Sequence, residues 1–109
     1  MENSAMKTAV ELFTSVPKLH NCAQAVIEGC GAPERVPEMA AFGGGRAPEG
    51  MCGALYAATQ SVPEDKRQAL INDFLTEMPS TKCRELKEQG IPCVKCVEVG
   101  ERLANKYKL

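Results

Sequence analysis

A chain of 109 residues that is 44% hydrophobic and 25% charged has the length and balance of one folded globular domain, which excludes a disordered chain. Its net charge is −1, with basic residues scattered among acidic ones. No basic stripe exists to follow a phosphate backbone, so nucleic acid is not an expected partner.

In chain order, the apolar residues recur at helical spacing. Met6, Ala9, Val10, Leu12, Phe13 and Val16 predict a first helix before Pro17. Asn21 and Gln24 form a capping-box pair that opens a second, which Gly29-Cys30-Gly31 should close. A brief segment at 34–41 follows, with Pro37 expected to interrupt it. The glycine-rich stretch Phe42-Gly43-Gly44-Gly45 then leads to a small-residue helix over about 50–59.

Ser61-Val62-Pro63-Glu64 reads as a helix start, with Ser61 as cap. Leu70, Ile71, Phe74, Leu75 and Met78 mark the buried stripe of the helix that follows, which ends before Pro79. Ser80 or Thr81 should cap a short helix through Cys83 and Leu86. After Gly90-Ile91-Pro92 a last helix runs over about 93–107, with Val97, Gly100, Ala104 and Tyr107 facing inward. No alternation long enough for a strand occurs. The expectation is an all-α fold, a small single domain over residues 1–109 with about five or six helices and a Gly-rich loop.

The N-terminal MENSAMKTAVELF lacks the basic start and unbroken apolar run of a signal peptide, and no apolar stretch nears the roughly 20 residues of a membrane span. These features predict a cytoplasmic protein with no membrane insertion. Six cysteines are then unexpected. In a reducing compartment lasting disulfides are rare, and clustered cysteines more often bind metal or exchange electrons.

Cys22, Cys52 and Cys93 fall near predicted helix starts, where unpaired N–H groups and the helix dipole favour a thiolate. On this reasoning Cys52 is a sulfur for which ionisation costs little. Gly43, Gly44 and Gly45, with Gly53 beside Cys52, leave bare backbone and are the expected cofactor-binding positions. The competing reading is that these small residues, with Ala54, Ala57 and Ala58, let helices pack closely.

Cys93-Val94-Lys95-Cys96 is the strongest local motif. Cysteines three apart at a helix start share a face, and can form a redox disulfide or take two positions on one metal. Lys95 between them would favour thiolate. Cys93 and Cys96 are therefore the catalytic candidates, and Cys22, Cys52, Cys83, Cys93 and Cys96 the metal-ligand candidates. Cys30, between two glycines, reads as a small buried hydrophobe. His20 is open to a role toward metal or Cys22, or to plain solvation. Arg46 and Arg84 are open to steadying a thiolate, or to lying on a solvated face.

The ordered set Asn21-Cys22-Ala23-Gln24-Ala25-Val26, Phe42-Gly43-Gly44-Gly45, Cys52-Gly53-Ala54, Cys83-Arg84-Glu85-Leu86 and Cys93 resembles the redox-active protein family named for its C_GCAxxG_C_C pattern. The resemblance spans roughly residues 8–104. It implies a small helical bacterial or archaeal protein with four characteristic cysteines used in redox or metal chemistry; by position these are Cys22, Cys52, Cys83 and either Cys93 or Cys96. Two positions depart from the pattern: Ala57 stands where its final glycine falls, and His20 where many relatives carry tyrosine.

Three functions follow as expectations. The first is a redox or electron-transfer protein whose cysteines converge on an iron–sulfur cluster or another thiophilic metal ion. Thiolates repel, so gathering several without a cation is costly. The second is metal-free thiol–disulfide exchange through Cys93 and Cys96. The third is a structural zinc site in a helical interaction module. The first two require a redox partner protein, whose identity the sequence does not carry; a homodimer is left open.

Overall fold

The computed structural model describes residues 8–14, 20–43 and 46–107. Within them the chain is all-α, with α1 (Ala9–Phe13), α2 (Cys22–Gly29), α3 (Val36–Met39), α4 (Gly53–Gln60), α5 (Arg67–Glu77), α6 (Cys83–Glu88) and α7 (Cys93–Tyr107). The only β pairing among the described residues is a single bridge between Met51 and Lys82. No helix among them is long and apolar enough to cross a membrane.

Local chemistry sets most helix ends. Thr8 and Glu11 form a capping box at α1, so this helix starts later than the apolar spacing predicts; Met6 and Val16 lie outside the described residues. The predicted box at α2 is present: Asn21 Oδ1 accepts from the Gln24 N–H at 2.7 Å, and Gln24 Oε1 from the Asn21 N–H at 2.9 Å. Gly31, at φ +97°, follows the Cys30 cap and turns the chain away.

Several expectations are corrected. Pro37 does not interrupt its segment, because it sits in the first turn of α3, where its missing N–H is no loss. Ser61 caps nothing that follows. Its hydroxyl donates to the Ala57 carbonyl at 2.9 Å, closing α4, and α5 opens through a 3-10 turn at Glu64–Lys66. Leu75 is 46% exposed, while Leu70, Phe74 and Met78 are buried. At α6 the cap position belongs to Lys82; Ser80 Oγ accepts from the Lys82 N–H at 3.0 Å and pairs with the Glu85 carboxylate.

Helix α4 is the centre of the packing. Gly53, Ala54, Leu55, Ala57, Ala58 and Thr59 are all buried, and α2, α5 and α7 lie against it. Its alanines serve close packing, as one of the two sequence readings has it: a Cβ on Gly100 of α7 would come within 3.0 Å of the Ala54 carbonyl oxygen. Leu55 of α4 itself, with Ile27, Leu70, Phe74 and Val97 from the surrounding helices, fills the core. The Glu101 carboxylate accepts the Ala9 N–H at 2.9 Å, fastening α1 onto α7. This packing brings the N-terminal ends of α2, α4, α6 and α7 toward one side of the core.

Candidate functional site

Each of those four helices begins with a cysteine at or beside its first residue. Cys22 is the first residue of α2, Cys52 caps α4, Cys83 opens α6 and Cys93 opens α7. The starts of α4 and α6 are fastened directly, since the Cys52 N–H donates to the Thr81 carbonyl at 2.8 Å next to the Met51–Lys82 bridge. Cys96 lies one turn inside α7. A small pocket is lined by Cys22, Cys52, Cys83, Cys93 and Cys96, together with Leu86, Lys87 and Ile91. Five residues spread over 75 positions of sequence thus meet at one place, and none of the six cysteines is in a disulfide.

The sulfurs differ in exposure and in proton affinity. Cys22, Cys52, Cys83 and Cys96 are buried, while Cys93 is half-buried at the rim. Cys52 and Cys96 share a hydrogen bond between α4 and α7. That bond, followed by burial, holds the Cys52 thiol well above the usual thiol range, against the pull of the Ala54 and Leu55 backbone N–H groups. The same bond lowers Cys96. Within the pair ionisation is therefore opposed at Cys52 and eased at Cys96. The sequence reasoning that ionisation is cheap at Cys52 is reversed, because burial and a thiol neighbour outweigh the helix N-terminus.

Burial pushes Cys83 up, and the neighbouring Cys52, Cys93 and Cys22 sulfurs add to this while Lys87 opposes it. Lys87 is the cation of the pocket. Lys95, expected in that role, pairs instead with Glu98 at 3.6 Å on the outer face of α7. A sequence signal for Lys87 existed in its position four residues after Cys83, one helical turn away.

Other candidates lie elsewhere. Cys30 is buried in the hydrophobic core, as expected of a small apolar residue. His20 Nε2 lies 2.6 Å from the Glu28 carboxylate. Arg46 donates to the Gly43 and Ala40 carbonyls, and Arg84 pairs with Glu88 on the surface. Gly43 and Gly53 leave bare backbone that the protein itself fills. A Cβ on Gly43 would meet Asn21 at 2.8 Å; one on Gly53 would meet the Phe42 carbonyl oxygen at 2.5 Å and Cys22 Sγ at 2.8 Å. Gly44 and Gly45 lie outside the described residues.

The donor set is chemically suited to a soft metal: every potential ligand in the pocket is a thiol and no carboxylate competes. The open space is about 20 Å³, close to what one water requires and far short of a flavin or haem. Among the described residues no three His, Cys, Asp or Glu side chains are arranged to hold a metal ion. The thiols suit a soft ion by their chemistry, but as arranged here they do not form a metal site.

No protein-family model, curated protein or solved structure matches this chain.

Proposed function

We propose that this is a redox protein whose working groups are the five converging cysteines, which take a thiophilic metal ion or an iron–sulfur cluster and exchange electrons with a partner protein. One observation carries the reading: four separate helix starts deliver Cys22, Cys52, Cys83, Cys93 and Cys96 to a single pocket. Packing alone does not call for this, since alanine or valine fills such space without an ionisable group. Thiolates crowded together repel, and a bound cation relieves that cost.

When bound, an iron–sulfur cluster would supply one-electron chemistry. The chain's own contributions are distinct. The five sulfurs are the donors, Leu86 and Ile91 limit water, and Lys87 offsets negative charge at the rim. The motif resemblance to the C_GCAxxG_C_C family supports the same reading, as does a cytoplasmic setting in which thiols stay reduced.

A second reading is favoured by the Cys52–Cys96 hydrogen bond and by the lack of a preassembled ligand set among the described residues. In it the pocket works without metal, by thiol–disulfide exchange. Metal analysis with an absorption spectrum on oxygen-free protein separates the two. Bound iron with visible absorption that a Cys52→Ser variant loses supports the first. A colourless, metal-free protein whose thiol count is unchanged by chelator turns the assignment to the second.

A further inference from the structure

Exposure ranks the five sulfurs. A substrate disulfide must be approached along its S–S axis, so only a sulfur reachable from outside can attack it. Cys93 alone among the five is half-buried; the other four are buried. Cys96 stands one turn further in on the same helix and lines the same pocket.

We propose that Cys93 is the entry thiol of the pocket and Cys96 its resolving thiol, so that each reduced chain reduces one substrate disulfide. The inference rests on the redox reading of the pocket and deepens its metal-free form. Cys93, its proton lost to solvent, attacks one sulfur of the substrate disulfide. An S–S bond forms to that sulfur, and the other substrate sulfur leaves as a thiolate and takes up a proton. Cys96 then loses its proton to solvent and attacks Cys93 Sγ. The Cys93–Cys96 bond forms, and the remaining substrate sulfur leaves and is protonated. Two electrons pass from the two protein thiols to the substrate.

Residues three apart on a helix have Cβ atoms about 5–6 Å apart, whereas a disulfide needs roughly 3.5–4.5 Å. The first turn of α7 must therefore tighten slightly. The Lys95 N–H bond to the Pro92 carbonyl at 3.0 Å must adjust as this turn tightens.

The test uses the full chain, reduced, chelator-treated and oxygen-free, mixed with dithiobis-nitrobenzoate as the substrate disulfide. The wild type should release two coloured thiolates in sequence and end with a Cys93–Cys96 disulfide by peptide mapping. Cys96→Ser should release one and trap the mixed disulfide on Cys93. Acid-quenched wild type labelled first on Cys22, Cys52 or Cys83, or a final disulfide joining Cys52 to Cys96, overturns the assignment while leaving a redox pocket. A metal-free chain with all five thiols inert removes the redox reading itself.

Discussion

The sulfur of Cys22 rests against the bare Cα of Gly53, so closely that a Cβ there would lie 2.8 Å from Sγ and 2.5 Å from the Phe42 carbonyl oxygen. The side chain can turn away, but the carbonyl belongs to backbone held by the loop. Overpacking of this kind costs about 1–3 kcal/mol, and replacing a helical glycine by alanine returns up to about 1 kcal/mol. Gly53→Ala should therefore be destabilised, with a Tm lower by about 4–8 °C per kcal/mol lost. Thermal unfolding by circular dichroism checks this. An unchanged or higher Tm means that the α2–α4 contact is looser than the geometry requires.

Asn21 does two things at once for the pocket. Its Oδ1 caps α2 through the Gln24 N–H at 2.7 Å, and its Nδ2 donates to the Ala40 carbonyl at 3.2 Å, tying the helix that carries Cys22 to the chain leading into Gly43. Losing an asparagine cap costs about 1–2 kcal/mol. Asn21→Ala should lose at least that much in urea unfolding. Asn21→Asp keeps the acceptor and suits the helix N-terminus, yet it gives up the donor to Ala40. Its stability should fall between the two, and equal loss in both variants would show that the Ala40 contact dominates.

The sequence reveals the helices better than it reveals their partners. The Asn21–Gln24 box and the start of α7 at Cys93 are local chemistry, and both stand where the sequence predicts. The Thr8–Glu11 box was equally legible and is obscured only by the apolar spacing that seemed to begin at Met6. That Ser61 closes α4 instead of opening α5 is not legible, because a serine between two helices suits either end. The site divides in the same way. That several cysteines sit at helix starts follows from Pro92 and Asn21. That Cys52 meets Cys96 depends on how α4 crosses α7 at Gly100, a contact between residues distant in the chain.

Lys87 should tune Cys83 specifically. Burial is the main force raising that thiol, neighbouring sulfurs add to it, and Lys87 is the one group that opposes it. In Lys87→Ala the Cys83 thiol should be pushed further up, so its alkylation by iodoacetamide should begin at higher pH. Lys87→Arg should leave the profile close to wild type. Mass mapping of Cys83 across a pH series provides the measurement, and coincident profiles for wild type and Lys87→Ala would detach the lysine from the pocket.

Thiol ionisation should also make the fold weaker in alkali. Cys52 and Cys83 are both raised in the folded chain from an ordinary value of 9.0. A raised group contributes stability that is complete below its unfolded value and is lost as pH climbs beyond it. Cys96 is lowered, so its contribution has the opposite sense: it is complete above 9.0 and fades as pH falls through its folded value. Above pH 9 the unfolded chain therefore sheds protons that folded Cys52 and Cys83 retain. Each retained proton lowers stability by about 1.4 kcal/mol per pH unit until the folded group also ionises. Serine does not titrate in this range, so urea unfolding of Cys52→Ser between pH 8 and about pH 10.5 should decline by one proton less than wild type. Parallel declines would mean that Cys52 loses its proton as readily folded as unfolded, and that the bond to Cys96 does not hold it.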